Sequence, residues 1–262
     1  MQIISWNVAS VRARLPLLTT LLSEKKPDIL FLQEIKALPA TFPFNDIEAS
    51  GYHAYISGQK GFNGVAILSR FPLQNIQTSL PQNEADEQAR FIQAEDDKTI
   101  YISVYVPNGN APLNNPTDTT RLHYKQAWLD SFLQHLNTLS LTGKQIIIGG
   151  DFNVIARDED VYNINAFQGN ALVDPTVRRQ FTDITNLPFI NTLRFLHPTE
   201  IIYSFWDFQM GAAQRNLGIL LDYIFISSRM QARLTSAGVY KDYRYKPKPS
   251  DHAPVFCELQ EA

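Results

Sequence analysis

Short apolar runs bounded by polar or turn-forming residues recur along the chain, and each run predicts a buried β-strand. Nine such runs are present, at residues 3–6, 28–32, 52–56, 64–68, 91–94, 100–106, 145–148, 220–226 and 255–259. Apolar residues at helical spacing are rarer and predict helices near residues 15–22, 129–136 and 176–186. Strands that outnumber the helices inserted between them predict an α/β fold, with two packed mixed β-sheets flanked by helices.

The length and composition of the chain indicate how many domains it forms and where in the cell it is found. With 262 residues, 44% of them hydrophobic, the chain can bury a large core, and no Gly/Ser-rich, Pro-rich or single-charge tract divides it. We therefore expect a single domain over residues 1–262. No apolar run approaches the roughly 18 residues that span a bilayer, and no basic leader precedes one. These features predict a cytoplasmic protein that does not associate with membranes.

The charge balance argues weakly against nucleic acid as a partner. The chain has 23 Lys and Arg against 26 Asp and Glu, a net charge of −3, whereas nucleic-acid-binding domains often carry a positive surplus. Positive charge is nevertheless clustered, at residues 178–179 and 241–248. Each cluster could equally be a solvated face, so charge alone does not decide the partner.

Three polar strings at the ends of predicted strands carry the chemistry. They are Gln33-Glu34, Gly149-Gly150-Asp151-Phe152-Asn153 and Ser250-Asp251-His252. A strand end can present side chains to a ligand, whereas a carboxylate in mid-strand would be buried without a partner. Their placement favours a functional site.

Glu34 is a candidate metal ligand. A hard divalent cation takes oxygen ligands, and Glu34 offers a carboxylate where a buried strand ends. Asn7 follows the first predicted strand, and if that strand neighbours the one that ends at Glu34, both side chains emerge at the same edge. Taken singly, Glu34 also fits an exposed residue with no function.

The string from Gly149 to Asn153 is the strongest local signal. Its two glycines allow a sharp turn or a close approach to a ligand, and Asp151 and Asn153 would point the same way on an extended segment. Asp151 could accept a proton from an attacking water, and the amide of Asn153 could donate to charge developing on phosphorus. A plain turn is the alternative, because Gly, Asp and Asn are all turn formers.

Asp222 interrupts an apolar run and needs a partner, for which we predict His252. A carboxylate on one imidazole nitrogen favours the cationic form, so the other nitrogen could hold a phosphate oxygen. A nucleophilic Ser250 is disfavoured, because adjacent residues on an extended segment point to opposite sides and no Gly-x-Ser-x-Gly elbow is present. Tyr105 and Asn108, after another predicted strand, could add hydrogen bonds to the phosphate, although Tyr105 also fits an ordinary core position.

Taken in order, these strings, with residues 58–67 and Leu221-Asp222-Tyr223, resemble the exonuclease III family of apurinic/apyrimidinic endonucleases over nearly the whole chain. The strings at residues 58–67, 105–109 and 248–254 are similar to the DNA-repair branch of a wider superfamily. The resemblance implies a four-layer α/β sandwich. It also implies a monomeric enzyme that cuts double-stranded DNA 5′ to abasic sites with Mg²⁺, or Mn²⁺ as the alternative, and that acts on 3′ ends as a 3′-5′ exonuclease and end-cleaning enzyme.

The resemblance also assigns roles to individual residues. Catalytic roles fall on Tyr105, Asn108, Asp151, Asn153, Asp222 and His252. Metal binding falls on Asn7, Glu34, Asp151, Asn153, Asp251 and His252, and substrate binding on Lys60, Arg90, Phe205, Trp206 and Leu221. Phe205 and Trp206 match an aromatic pair that lines the pocket for the flipped abasic sugar, although an ordinary core pair is the alternative.

The chain departs from the family pattern at three places. Ala9 stands where a polar residue is usual, Leu220 where an arginine is usual, and residues 157–179 match poorly. Two other functions stay open. One is a phosphatase or phosphodiesterase of the same superfamily that acts on a substrate other than DNA, and the other is a non-catalytic regulator that binds nucleic acid.

Overall fold

The computed structural model describes residues 1–260. Within them the chain forms twelve strands: β1 (Gln2–Asn7), β2 (Ile29–Gln33), β3 (His53–Ser57), β4 (Val65–Ser69), β5 (Gln74–Gln77), β6 (Phe91–Glu95), β7 (Thr99–Tyr105), β8 (Gln145–Asp151), β9 (Phe189–Asn191), β10 (Asp222–Ser227), β11 (Leu234–Val239) and β12 (Val255–Leu259). The α-helices in the same range are α1 (Leu15–Lys25), α2 (Phe44–Ala49), α3 (Thr120–Ser140), α4 (Pro175–Asn186) and α5 (Thr192–Leu196). All nine predicted strands and all three predicted helices are present.

The strands form two six-stranded sheets with related topologies. The first sheet has the order β11-β12-β1-β2-β4-β3 and the second the order β5-β6-β7-β8-β10-β9. Near the middle of each sheet two strands are parallel, β1 with β2 and β7 with β8, and the other pairs are antiparallel. Parallel neighbours need a crossover connection, which α1 and α3 supply. The predicted α/β class with two mixed sheets is confirmed.

Alternating side chains along the strands separate the core into layers. On β1, Ile3 belongs to the large cluster that includes the second sheet and α3, whereas Ile4 packs with Leu18 of α1. The sheets pack face to face closely enough that a Cβ at Gly149 would lie 2.2 Å from the ring of Phe31. Gly149 is therefore a packing glycine inside β8, and the expectation that it turns the chain or approaches a ligand is wrong.

The strands that the sequence pattern misses are all edge strands. β5, β9 and β11 each have a partner on one side only. β5 has the sequence Gln-Asn-Ile-Gln and is mostly exposed, and β9 has three residues. An edge strand does not need a continuous apolar run, because one side of its backbone and much of its surface face water. Within residues 1–260, none of the helices combines the length and the apolar character needed to cross a membrane.

Candidate active site

The parallel strand pairs bring the predicted site residues to one end of the sandwich. In the first sheet Asn7 pairs with Gln33, and in the second sheet Tyr105 pairs with Asp151, at the carboxyl ends of all four strands. A cavity of about 390 Å³ opens there. The predicted residues that line it are Glu34, Tyr105, Asn108, Asp151, Asn153, Phe205, Leu221, Asp251 and His252. Glu34 and His252 thus face one space, although 218 positions of sequence separate them.

Asn7 joins the two sheets through its carboxamide. Its Nδ2 donates to Oε1 of Glu34 at 3.0 Å and to Oδ2 of Asp151 at 2.9 Å, while its Oδ1 accepts from the backbone N–H of Ala9 at 3.0 Å. Both N–H groups of the amide are therefore used. Asn7 holds two carboxylates in place, and a lone pair of its oxygen remains for a cation.

Glu34 sits at a special backbone position. Its φ is 49°, in the left-handed region, where the chain leaves β2. The phenol of Tyr105 donates to Oε1 at 2.9 Å, and the ammonium of Lys36 lies 2.7 Å from Oε2. Burial raises the pKa of Glu34, but the hydrogen bonds from Asn7 and Lys36 outweigh it and keep that pKa below its ordinary value. The carboxylate is ionised at neutral pH and available to a cation.

Asp151 is buried at the end of β8. Its Oδ1 accepts from the backbone N–H of Asn153 at 3.0 Å, and its Oδ2 lies 3.7 Å from Nε2 of His252. Burial raises the pKa of Asp151 to about 7, and the charge of His252 limits the rise. A carboxylate whose pKa is close to the working pH is suited to accept a proton from water.

Asp222 and His252 form the buried pair that the sequence predicts. Nδ1 of His252 lies 2.7 Å from Oδ2 of Asp222, and the hydroxyl of Ser204 donates to the same oxygen at 2.6 Å. Burial lowers the pKa of His252, but Asp222 and Asp151 outweigh it and raise that pKa to about 10. The imidazole is therefore cationic at neutral pH, with Nε2 directed toward Asp151 and away from Asp222. Ser250 donates to the carbonyl oxygen of Asn7 at 2.7 Å, which gives it a structural task.

Asn153 and Asn108 form an amide pair beside Asp151. Nδ2 of Asn108 donates to Oδ1 of Asn153 at 3.1 Å, and Nδ2 of Asn153 donates to the carbonyl of Val106 at 2.9 Å. Asn153 has φ 50°, so the expected extended backbone from Asp151 to Asn153 is wrong, although both side chains line the same cavity. One N–H of Asn153 remains for a substrate.

Lys125 supports the site and was not found by the sequence pattern, because it lies in a helix far from the polar strings. Its side chain is fully buried on α3. The ammonium donates to the carbonyl oxygens of Asn153 at 2.6 Å, Asn108 at 3.0 Å and Ala171 at 3.4 Å. Burial lowers the pKa of Lys125 to about 7. This one side chain joins the loop after β7, the loop after β8 and the segment before α4.

The donor set suits a divalent metal ion. Carboxylate oxygens of Asp151 and Asp222 and a nitrogen of His252 lie within 4.8 Å of one another. Oδ1 of Asp222 is buried without a hydrogen-bond partner in residues 1–260. Glu34 and Asp251 add further carboxylates to the cavity wall. Hard divalent cations prefer oxygen ligands of this kind.

Three of the five predicted substrate-binding residues lie outside this cavity. Trp206 is buried among Tyr203 and the alanines at positions 212, 213 and 253, so the predicted aromatic pair does not face the cavity as a pair. Lys60 is exposed in the segment before β4 and does not line the cavity. Arg90 lines a neighbouring cavity of about 550 Å³, which shares Asn108 with the first. Its guanidinium lies 4.8 Å from the ring of Tyr105 and donates to the carbonyl of that residue.

The structure shows the surroundings of the two single-residue departures from the family pattern, Leu220 and Ala9. Leu220 is fully buried in the main core, where an arginine side chain would lose its hydration. Ala9 has φ 45° at the bend that follows β1.

A family model described as the endonuclease/exonuclease/phosphatase family matches residues 4–252. The chain belongs to this family. Exodeoxyribonuclease III of Haemophilus influenzae is 30% identical, over 99% of this chain and 100% of the relative. The solved structure of the 3′ phosphatase NExo from Neisseria, bound to a product DNA hairpin, superposes with a TM-score of 0.94 at 33% identity and covers 100% of both chains.

An AP endonuclease from Archaeoglobus fulgidus superposes with a TM-score of 0.93 at 32% identity, again over 100% of both chains. The family and the fold expected from the polar strings are therefore confirmed. The shared fold spans the whole chain, including residues 157–179, where the sequence match to the family is poorest.

Proposed function

We propose that the protein is a DNA repair nuclease that hydrolyses the phosphodiester 5′ to abasic sites and also removes groups from 3′ ends. One observation carries the proposal: Asp151, with Nε2 of His252 at 3.7 Å, lines the same cavity as Glu34. Asp151 supplies a general base, the protonated His252 a positive charge, and Glu34 a carboxylate that can bind a metal ion. All three surround the space where a phosphate would lie. The relatives that match the whole chain include nucleases and a 3′ phosphatase. The enzyme acts as a single-domain monomer over residues 1–262, and its cytoplasmic location stays a prediction.

Asp151 is the general base. Its raised pKa places it close to neutrality, and the hydrogen bonds from Asn7 and the backbone of Asn153 fix its orientation. It takes a proton from the attacking water as the new bond to phosphorus forms. General base catalysis of this kind contributes ~10²–10⁴-fold to the rate.

His252 stabilises the charge that develops on the phosphate. Asp222 holds Nδ1 as a donor, so Nε2 directs its own N–H at a phosphate oxygen. Asn108 adds a donor on the second-sheet side of the cavity. The phenol of Tyr105 donates to Glu34 and would add a second donor when it turns from that carboxylate to the phosphate. The high pKa of Tyr105, set by burial and by Glu34 and Asp151, keeps its phenol protonated.

We assign Mg²⁺ to the site, with Mn²⁺ as the alternative. Glu34 is its chief ligand, and the other residues that would hold it are Asn7, Asp151, Asn153 and Asp251. The metal role that the resemblance assigned to His252 does not fit, because an imidazolium that donates from both nitrogens has no lone pair for a cation. When bound, the ion neutralises charge on the phosphate and stabilises the leaving 3′ oxygen. The ion pair of Lys36 with Glu34 is partly exposed, so Lys36 does not shut the carboxylate off from a cation.

Substrate binding uses the apolar part of the cavity and the polar surface beside it. Phe205 and Leu221 face the deoxyribose. Arg90 lines the neighbouring cavity and contacts the DNA backbone, and the exposed Lys60, next in sequence to the lining residue Gln59, adds a second backbone contact. Phosphate contacts of this type position the duplex without reading its sequence.

A side-by-side assay tests the proposal. A duplex with one abasic site, an undamaged duplex with a recessed 3′ end, and an inositol phosphate are each incubated with the protein and Mg²⁺, with and without chelator. We expect Mg²⁺-dependent incision 5′ to the abasic site and release from the 3′ end. Turnover of the inositol phosphate alone would favour a phosphatase of the same superfamily, and no turnover of any substrate would favour a non-catalytic regulator.

A further inference from the structure

One wall of the catalytic cavity is aromatic and comes from the segment that departs most from the family pattern. Tyr162, Phe167 and Leu172 line the same cavity as the carboxylates of Glu34, Asp151 and Asp251. Tyr162 is 42% exposed, and its ring packs edge-to-face with that of Phe167 at a centroid distance of 6.2 Å and an angle of 82°. An exposed aromatic face inside a catalytic cavity has no packing task of its own, so it is available to a ligand.

The aromatic wall is held in fixed register with the catalytic histidine. Isolated β-bridges pair Val161 with Ile219, Ile219 with Phe205, and Phe205 with His252. The backbone N–H of Tyr162 also donates to the carbonyl of Gly218 at 3.0 Å. Three strand spacings of ~4.8 Å separate His252 from Val161, a span of about 14 Å. Backbone pairing therefore fixes the Val161–Tyr162 end of the wall relative to His252.

The shape and chemistry of this wall fit a nucleobase. The cavity of about 390 Å³ is within the range of small-molecule pockets, ~300–1,000 Å³. Leu172, Ile219 and the two aromatic rings carry no charge, so they suit the uncharged face of a base and not a phosphate. Enzymes that hold an unpaired base stack it between aromatic and apolar side chains in this way.

We propose that Tyr162 and Phe167 stack the base of the nucleotide on the 3′ side of the cleaved phosphodiester. The enzyme then accepts a base-bearing nucleotide in the cavity, at a 3′ end above all, as well as an abasic sugar. Asn170 and Gln209 line the same cavity and place amide groups within the space that the base edge would enter. This inference rests on the proposed function and names the residues that would bind the base when the enzyme acts on a 3′ end.

The first test compares two substrates with aromatic variants of the wall. Tyr162→Ala and Phe167→Ala are assayed for release of a base-bearing 3′ nucleotide and for incision at an abasic site. We expect kcat/KM for nucleotide release to fall by ~5- to 100-fold, the scale of one lost stacking contact, and kcat/KM for abasic incision to fall much less, so that the ratio of the two values changes. Tyr162→Leu keeps apolar volume without an aromatic face and should behave like Tyr162→Ala. Phe195→Ala, at an aromatic side chain of similar exposure (45%) outside the cavity, is the matched control and should leave both reactions unchanged.

The second test measures stacking directly and without turnover. A duplex with 2-aminopurine at its 3′ end is titrated with protein in the presence of chelator, and the fluorescence of the base reports stacking. Wild-type protein should quench it, and the Tyr162→Ala and Phe167→Ala variants should not. Equal quenching by these variants, or equal loss of both reactions in the first test, overturns the base platform while the nuclease stands. Failure to cut any DNA substrate removes both proposals.

Discussion

Asp222 and His252 form a fully buried pair in which Oδ2 of the carboxylate lies 2.7 Å from Nδ1 of the imidazole. The pair crosses from the start of β10 to the segment before β12, and 30 positions of sequence separate its members. Because Asp222 fixes Nδ1 as a donor, the other nitrogen is left to face Asp151 at 3.7 Å. One imidazolium thus lies between two carboxylates, and the pH response of the enzyme depends on it.

The pH profile of cleavage should have two limits. Asp151 must be ionised and His252 protonated, so kcat/KM should rise as the pH passes about 7 and fall as it passes about 10. Asp222→Asn removes the largest raising effect on the pKa of His252, so the alkaline limit should move to lower pH. His197, a surface histidine paired with Glu200, supplies the control His197→Gln, which should keep the wild-type profile. An alkaline limit that stays in place in Asp222→Asn would argue against the imidazolium role.

Removal of the general base should abolish most of the rate. Asp151→Asn keeps the shape of the side chain but cannot accept a proton, so kcat should fall by ~10²–10⁴-fold on an abasic oligonucleotide. Circular dichroism should show an unchanged fold. Asp46→Asn changes an exposed carboxylate in α2 and should retain wild-type activity. If Asp151→Asn cuts at a near-normal rate, another group is the base.

Metal binding should be measurable without any reaction. A ligand at 100 times its Kd stabilises the folded state by ~2.7 kcal/mol, which for a domain of this size raises Tm by about 2–4 °C per kcal/mol. Thermal unfolding with Mg²⁺ or Mn²⁺ against chelator should show this rise in the wild type and a much smaller one in Glu34→Gln. Glu48→Gln, an exposed change in α2, should respond like the wild type. An undiminished rise in Glu34→Gln would place the ion elsewhere, for which the Asp151, Asp222 and His252 cluster is the candidate.

Lys125 should matter for both stability and rate. Lys125→Met keeps the aliphatic stem but leaves three loop carbonyls without their donor, at a cost of ~1–3 kcal/mol for the buried unsatisfied groups. We expect a lower free energy of unfolding in urea and a lower kcat, with KM changed less. Lys98→Met, at an exposed position before β7, should change neither quantity. A variant with normal stability and normal kcat would show that the three loops hold their positions without the ammonium.

Some tertiary contacts could be predicted because a charged residue in an apolar run is unstable unless another side chain pairs with it. Asp222 in an apolar run is costly unless it is paired, and His252 is the partner in the structure. Gly149 shows the opposite case. Its place beside Asp151 suggests a turn or a ligand contact, yet its role is to admit the ring of Phe31 from the facing sheet. The sequence around Gly149 carries no sign of that ring.

The sequence by itself determined the strands of the sheet interiors, the α/β class and the polar strings at the strand ends, because burial forces apolar runs and turn residues to end them. Tertiary structure alone decided which strings meet. The parallel pairing of β1 with β2 and of β7 with β8 sets their carboxyl ends together, and the packing of two sheets brings Glu34 within reach of Tyr105. The tertiary structure also buries Lys125 against the backbone of three loops. It places Tyr162 in the wall of the cavity, whereas Trp206 packs in a separate buried cluster. Those outcomes depend on distances between segments far apart in the chain, which local patterns of polarity do not encode.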